Sequence, residues 1–96
     1  MEGYPKQTFK DDIAAENPKA MLADGLDECI LGIGHRCGHD PLAVYDYAAC
    51  VLVFMNRDGM TRDDAVEWME FNVVGSGGEG YPIFLHLRDG IEIRKL

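Results

Sequence analysis

The chain contains few basic residues, and this shortage excludes one broad class of function. Nine Lys and Arg residues stand against 17 Asp and Glu residues, which gives a formal net charge of −8 and a pI of about 4.6. A nucleic-acid interface needs clustered Lys and Arg, because much of its affinity comes from contacts with phosphates. Direct nucleic-acid binding is therefore not expected, whereas an acidic surface suits solubility or a basic protein partner.

Long apolar runs and a paired set of cysteines are also missing. No apolar stretch approaches the roughly 20 residues that span a bilayer, and residues 1–12 contain no hydrophobic signal region. The three cysteines, at irregular spacing, do not predict a disulfide framework. We therefore expect a cytoplasmic protein that does not bind a membrane.

The chain does contain enough apolar sequence for one small domain. Hydrophobic residues make up 47% of it and charged residues 27%, which is typical of an ordinary globular protein. At 96 residues, a single core is adequate but small. Gly3 and Pro5 interrupt the start of the chain, so residues 1–10 predict an extended N-terminal arm and residues 11–96 predict one domain.

The stretch from Asp46 to Gly75 predicts two helices joined by a tight turn. Asp46 is a suitable N-cap for the first helix, which is apolar on nearly all sides, and Gly59 can adopt the left-handed conformation that ends it. Thr61 is a suitable N-cap for the second helix. The residues of its apolar stripe are Ala65, Val66, Met69 and Val73. The residues predicted to face away are Asp63, Glu67 and Glu70.

Strands are predicted on both sides of the helix pair. Residues 28–36 and 41–45 are rich in aliphatic side chains and are separated by a turn of hairpin length, which predicts an antiparallel pair. Residues 81–87 and 91–95 predict a second hairpin. In the final strand, apolar residues alternate with charged ones. This strand can therefore close the sheet of its own subunit or that of a neighbour.

The segment before the first strand predicts short helical pieces. Residues 11–16 form one piece, and Pro18 suits the first position of another that extends to Ala23. The expected fold is therefore α+β, with a short helical N-terminal segment. Its sheet is small, mainly antiparallel and ordered ββααββ, and the helix pair covers one face of it.

The turn between the first two strands contains three side chains suited to metal binding, His35, Cys37 and His39. Two imidazoles and a thiolate could bind zinc if the strand end and the turn bring them together. Their spacing matches no common structural zinc pattern, and no second Cys or His pair follows. The alternative is an ordinary hairpin tip with solvated histidines, and we assign no cofactor.

A glycine-rich segment follows the second helix and could present backbone N–H groups to an anionic ligand. The candidate ligand-binding residues are Gly75, Ser76, Gly77, Gly78 and Glu79, with Glu70 and Asn72 at the end of the helix. The segment precedes a strand rather than a helix and lacks the Lys-Ser or Lys-Thr of a P-loop. The alternative is a hinge or mobile loop, with Glu70 and Asn72 bonded to neighbouring elements.

Two segments resemble a family of small uncharacterised proteins found in bacterial genomes and phages. They are GLDECILGIGHRCGHDPLAVYD, residues 25–46, and DGMTRDDAVEWMEFNVVGSGGEGYPIF, residues 58–84. Family members usually have an aromatic or Ala-Tyr-Val-type segment after the glycine that matches Gly75, and Thr at the position of Tyr81. Here a Ser-Gly-Gly run stands in place of that segment. The resemblance implies a phage or mobile-element origin and brings no established activity.

These observations predict a small non-enzymatic binding protein. The chain is acidic, shows no complete catalytic set, and has predicted sheet edges that favour a homo-oligomer. The resemblance favours a counter-defence inhibitor that binds a host protein or sequesters a small nucleotide signal. One alternative is a zinc-binding domain or metal-assisted hydrolase that uses His35, Cys37 and His39. The other is a structural accessory domain without a ligand.

Overall fold

The computed structural model describes residues 6–88, which form a three-stranded sheet and three α-helices connected by shorter helical turns. The α-helices are α1 (Lys6–Glu16), α2 (Tyr47–Asp58) and α3 (Arg62–Trp68). The strands are β1 (Ile30–Gly34), β2 (Leu42–Asp46) and β3 (Ile83–Leu85). A π-helical turn, Met69–Val73, continues α3, and 3-10 turns span Asp27–Cys29 and Val74–Ser76.

The sheet has the order β1-β2-β3 and confirms the α+β fold class. β1 and β2 pair antiparallel, as the sequence predicts, but β2 and β3 pair parallel, so the sheet is mixed. The parallel pair arises because two helices carry the chain back across the sheet before β3 begins. After α1 the order within the described residues is ββααβ, and the predicted final strand, residues 91–95, lies outside them.

One face of the sheet packs against the helices. Ala43 and Tyr45 of β2 are fully buried on that face, and Phe84 of β3 stacks on Tyr45 with ring centroids 5.6 Å apart. The other buried apolar residues of this core are Phe9, Ile13, Leu26, Cys29, Tyr47, Cys50, Val51, Phe54, Ala65 and Met69. The helix pair therefore covers one face of the sheet, as predicted. No helix among residues 6–88 is both long and apolar enough to cross a membrane.

The helix boundaries follow the local signals that predict them. The Asp46 carboxylate accepts a hydrogen bond of 3.2 Å from the Ala49 N–H at the start of α2. Gly59 ends α2 with a φ of 69°, in the left-handed region. The Thr61 hydroxyl then accepts a hydrogen bond of 3.2 Å from the Asp64 N–H. The turn between α2 and α3 is thus set by the backbone conformation of Gly59 and by the capping hydroxyl of Thr61.

The N-terminal part differs from the prediction in two places. α1 begins at Lys6, so residues 6–10 are helical where an extended arm was expected, and residues 1–5 lie outside the described part. The predicted second helix from Pro18 to Ala23 is absent, because the Asn17 carboxamide oxygen accepts from the Lys19 N–H and forms a turn. The extended segment that follows is held by the Tyr45 hydroxyl, which accepts a hydrogen bond of 2.8 Å from the Ala23 N–H.

Candidate interaction surface

The predicted metal ligands do not form a metal site in the structure. His35, Cys37 and His39 all lie exposed in the turn between β1 and β2. Across residues 6–88, no three His, Cys, Asp or Glu side chains group together in a way that could hold a metal ion. The other two cysteines, Cys29 and Cys50, are buried. A hydrogen bond from Cys50 lowers the pKa of the Cys29 thiol, and the same bond, together with burial, raises the pKa of Cys50.

Gly75 of the predicted ligand-binding set, and Gly80 directly after that set, have packing roles. A Cβ on Gly75 would collide with the carbonyl oxygen of Glu70. Gly80 has a φ of 80° and lies against the backbone of Lys19, so a side chain there would be strained and would also collide with the Lys19 carbonyl. Its own carbonyl accepts a hydrogen bond of 2.8 Å from the Met21 N–H. The need for glycine at these positions therefore comes from chain packing.

The loop and the turn between β1 and β2 meet at a separate cavity of about 310 Å³. Its lining includes His39, Asp40 and Glu79, together with Lys19. Lys19 Nζ and a Glu79 carboxylate oxygen are 3.6 Å apart, but both side chains are largely exposed, so this ion pair contributes little. Charges of both signs line the cavity, and they do not select an anionic ligand.

Glu70, a predicted ligand-binding residue, is tied to the fold. Its carboxylate accepts a hydrogen bond of 2.7 Å from the Tyr47 hydroxyl. The Tyr47 ring in turn stacks on His86, with ring centroids 4.2 Å apart. These contacts link the start of α2, the π-helical turn and the end of β3. They match the alternative interpretation of Glu70 as a residue bonded to neighbouring elements. No sequence pattern predicts the roles of Tyr47 and His86.

The outer side of α3 and the π-helical turn carries an apolar surface, which we call the Trp68 surface. It surrounds a shallow concavity of about 360 Å³. Its lining residues are Met60, Asp64, Glu67, Trp68, Phe71 and Asn72. Phe71 is 76% exposed, more than any other large apolar residue of the described chain, and Trp68 is 44% exposed. Asn72 is the one predicted ligand-binding residue in this surface.

Helical spacing brings the members of the Trp68 surface together. Residues 64, 68 and 71 recur every three or four positions, so they line one side of α3 and its extension, and Met60 lies just before the N-cap of the helix. After Trp68 the helix widens into the π-helical turn, in which the Val74 N–H donates to the Met69 carbonyl. Few helices contain a π-helical turn, and those turns that do occur often lie at functional sites. Met69 is fully buried on the inner side while Phe71 faces out.

One side of the Trp68 ring packs against the core. Its ring lies 6.4 Å from the ring of Phe54, which is 7% exposed. The Arg57 guanidinium lies 5.4 Å from the Phe54 ring centroid and donates a hydrogen bond of 3.0 Å to the Gly25 carbonyl. Trp68 thus has one side fixed and one side open, which is the arrangement of a preformed contact residue.

The Trp68 surface is negatively charged at its edge. Asp64 and Glu67 line it, and both are exposed. Asp63 is exposed in the same short helix, and Arg62 is the one Lys or Arg in residues 60–74 of the sequence. The sequence signal for this surface is the position of Phe71, an aromatic residue next to Glu70 on the side of the helix opposite the apolar stripe.

Comparison with protein-family models, with curated protein sequences and with solved structures gives no match to this chain.

Proposed function

We propose that this chain is a non-enzymatic protein-binding module whose contact site is the Trp68 surface. The observation that carries the proposal is the 76% exposure of Phe71 beside Trp68 and Met60. Keeping a Phe side chain in water instead of burying it forgoes about 1.5–3 kcal/mol. Aromatic residues that cluster on a surface are typical of the energetic centre of a protein interface.

A protein partner suits this surface better than a small nucleotide does. The concavity is shallow, and two carboxylates, those of Asp64 and Glu67, stand at its edge. A nucleotide phosphate would be repelled by these carboxylates and by the net charge of −8. The glycine-rich loop, the other candidate for a nucleotide, packs through Gly80 against the backbone of Lys19.

The resemblance to phage and bacterial proteins supplies the class of partner. In that setting the partner is a host protein, and the chain acts as a counter-defence inhibitor that blocks it. A small acidic protein with a rigid aromatic contact site suits such a role, because a preformed site loses little conformational entropy on binding.

A second exposed surface supports a homo-oligomer. Ile83 and Leu85 of β3 are 41% and 42% exposed and lie on the face of the sheet opposite the core, in register with Val44 and Asp46 of β2. Self-association through this face leaves the Trp68 surface open to another protein. Native mass spectrometry gives the oligomer mass, and an Ile83→Asp substitution should reduce it, whereas a strictly monomeric wild-type protein would contradict the oligomer.

The protein-binding role is tested by affinity purification from the native host with three versions of the tagged protein. The wild type and Leu52→Ala should retain a common partner, and Phe71→Ala should lose it. Leu52 is a matched control, because it is an apolar helix residue that is 54% exposed and lies outside the Trp68 surface. A partner retained equally by all three versions would contradict the proposed site.

A further inference from the structure

We infer that the Trp68 surface binds a cationic amphipathic helix of its partner. This inference rests on the proposed function and adds the chemistry of the bound segment. It is carried by the shape of the surface, by its backbone and by its charge.

The shape of the surface is a stripe along a helix. Asp64 and Phe71 are seven positions apart, which corresponds to roughly 10 Å along a helical axis, with Trp68 between them, and Met60 lies just before the helix. An amphipathic helix presents apolar side chains on one face at three- and four-residue spacing, so about two turns of such a helix match this length. Its apolar side chains would fill the concavity between Met60, Trp68 and Phe71.

The backbone under the surface favours a helical partner over an extended one. An extended peptide gains affinity from main-chain hydrogen bonds to a sheet edge. Here the main chain is helical from Arg62 to Val73, and its internal hydrogen bonds include the bond from the Met69 N–H to the Ala65 carbonyl. A helix that binds this surface needs no main-chain partner, because it satisfies its own backbone groups.

The charge of the surface selects a basic partner. Asp64 and Glu67 lie within the concavity lining, and none of the six lining residues is Lys or Arg. Lys and Arg on the flanks of the bound helix would pair with these carboxylates, and their long side chains could also cover the faces of Trp68 and Phe71. A second copy of the chain is a poor occupant, because a symmetric contact would bring two acidic edges together.

The experiment uses a display library of random peptides of about 16 residues, long enough for roughly four helical turns. Peptides are selected on the wild-type protein after those that bind Phe71→Ala are removed. Binding is then measured from the fluorescence of Trp68, which is the single tryptophan of the chain. The selected peptides should carry excess Lys and Arg, with apolar residues at three- and four-residue spacing.

A double variant that removes two carboxylate charges from the Trp68 surface, called a charge-removal pair, tests the electrostatic part of the inference. Asp64→Asn with Glu67→Gln should weaken binding of the selected peptides by about fivefold to tenfold, and added salt should weaken binding to the wild type. The matched control is Glu16→Gln with Asp40→Asn, which removes the same charge from exposed positions outside the surface. The control should bind as tightly as the wild type.

The remaining outcomes separate the inference of a cationic helix from the proposed protein-binding function. Phe71-dependent peptides that are neutral or acidic would overturn the inference and leave the proposed function standing. Equal weakening by both charge-removal pairs would show that net charge, and not the Trp68 surface, attracts the peptide. Absence of any Phe71-dependent peptide would overturn the inference. Self-association of the wild type that is lost in Phe71→Ala, seen as a change in native mass, would also overturn it. The proposed function is overturned separately, by a Phe71→Ala protein that retains the same host partner as the wild type.

Discussion

The inner and outer sides of α3 and its π-helical turn share one backbone and have opposite properties. On the inner side, Ala65 and Met69 are fully buried in the core. On the outer side, Trp68 and Phe71 are 44% and 76% exposed although both are large and apolar. The inner side thus contributes to the stability of the domain, and the outer side is the proposed contact site. Substitutions on the two sides should therefore separate stability from binding.

The largest effect is expected at Met69. Replacement by Ala removes a fully buried side chain from the core and should lower the free energy of unfolding by about 2–5 kcal/mol. Urea denaturation followed by circular dichroism measures this change. Phe71→Ala, two positions away, is the matched control. A loss of less than about 1 kcal/mol for Met69→Ala would mean that the inner side is not the stabilising side.

Tyr45 of β2 lies in the core into which the inner side of α3 packs, and it gives the stability of that core a pH dependence. Burial, the largest cause, raises the pKa of Tyr45 from 10.0 to about 12. Between pH 10 and pH 12 the unfolded chain loses this proton and the folded protein keeps it. Unfolding then releases a proton, so the free energy of unfolding should fall by up to about 2–3 kcal/mol as pH rises through this range.

The control for Tyr45 is the Phe variant at the same position. Tyr45→Phe should lose stability at neutral pH, because the Ala23 N–H loses its acceptor, and should show a smaller decline above pH 10. Phe71→Ala should keep the full decline of the wild type. An identical decline in wild type and Tyr45→Phe would assign the pH dependence to other groups.

A smaller effect is expected for the hydrogen bond that links α2 to the π-helical turn, from the Tyr47 hydroxyl to the Glu70 carboxylate. Tyr47→Phe removes the hydroxyl but keeps the ring against His86, so the cost should be about 1 kcal/mol. Glu70→Gln keeps an oxygen acceptor and should cost less. Thermal unfolding of both variants measures the difference. If Glu70→Gln costs as much as Tyr47→Phe, the charge of Glu70, and not its acceptor oxygen, is what the contact needs.

The same comparison shows which parts of the fold the sequence could predict. Asp46, Gly59 and Thr61 act within a few residues of themselves, so the bounds of α2 and α3 could be predicted from local chemistry. The parallel pairing of β3 could not, because it depends on how the two helices carry the chain across the sheet. The helix predicted after Asn17 is missing for a local reason at its start, where Asn17 forms a turn, and the Tyr45 hydroxyl, remote in sequence, then holds the segment that follows.

The candidate sites were harder to predict than the helices, because a site depends on which side chains meet. The sequence predicts one site for Glu70 and Asn72, yet Glu70 bonds to Tyr47 and Asn72 lines the Trp68 surface. The sequence predicts different sites for His39 and Glu79, yet both line one cavity. Residue type indicated what each side chain could do, and only the fold shows its neighbours.

The smallest effect on stability is expected at Phe71, and this result matters most for the interpretation of the outer side. Because Phe71 is 76% exposed, Phe71→Ala should change the free energy of unfolding by no more than about 0.5 kcal/mol, while partner binding is lost. A destabilisation above about 1 kcal/mol would show that Phe71 packs against the domain itself, and its exposure would then give no reason to expect a partner. Urea denaturation of the purified variant therefore decides, before any partner is known, whether the Trp68 surface is free to bind one.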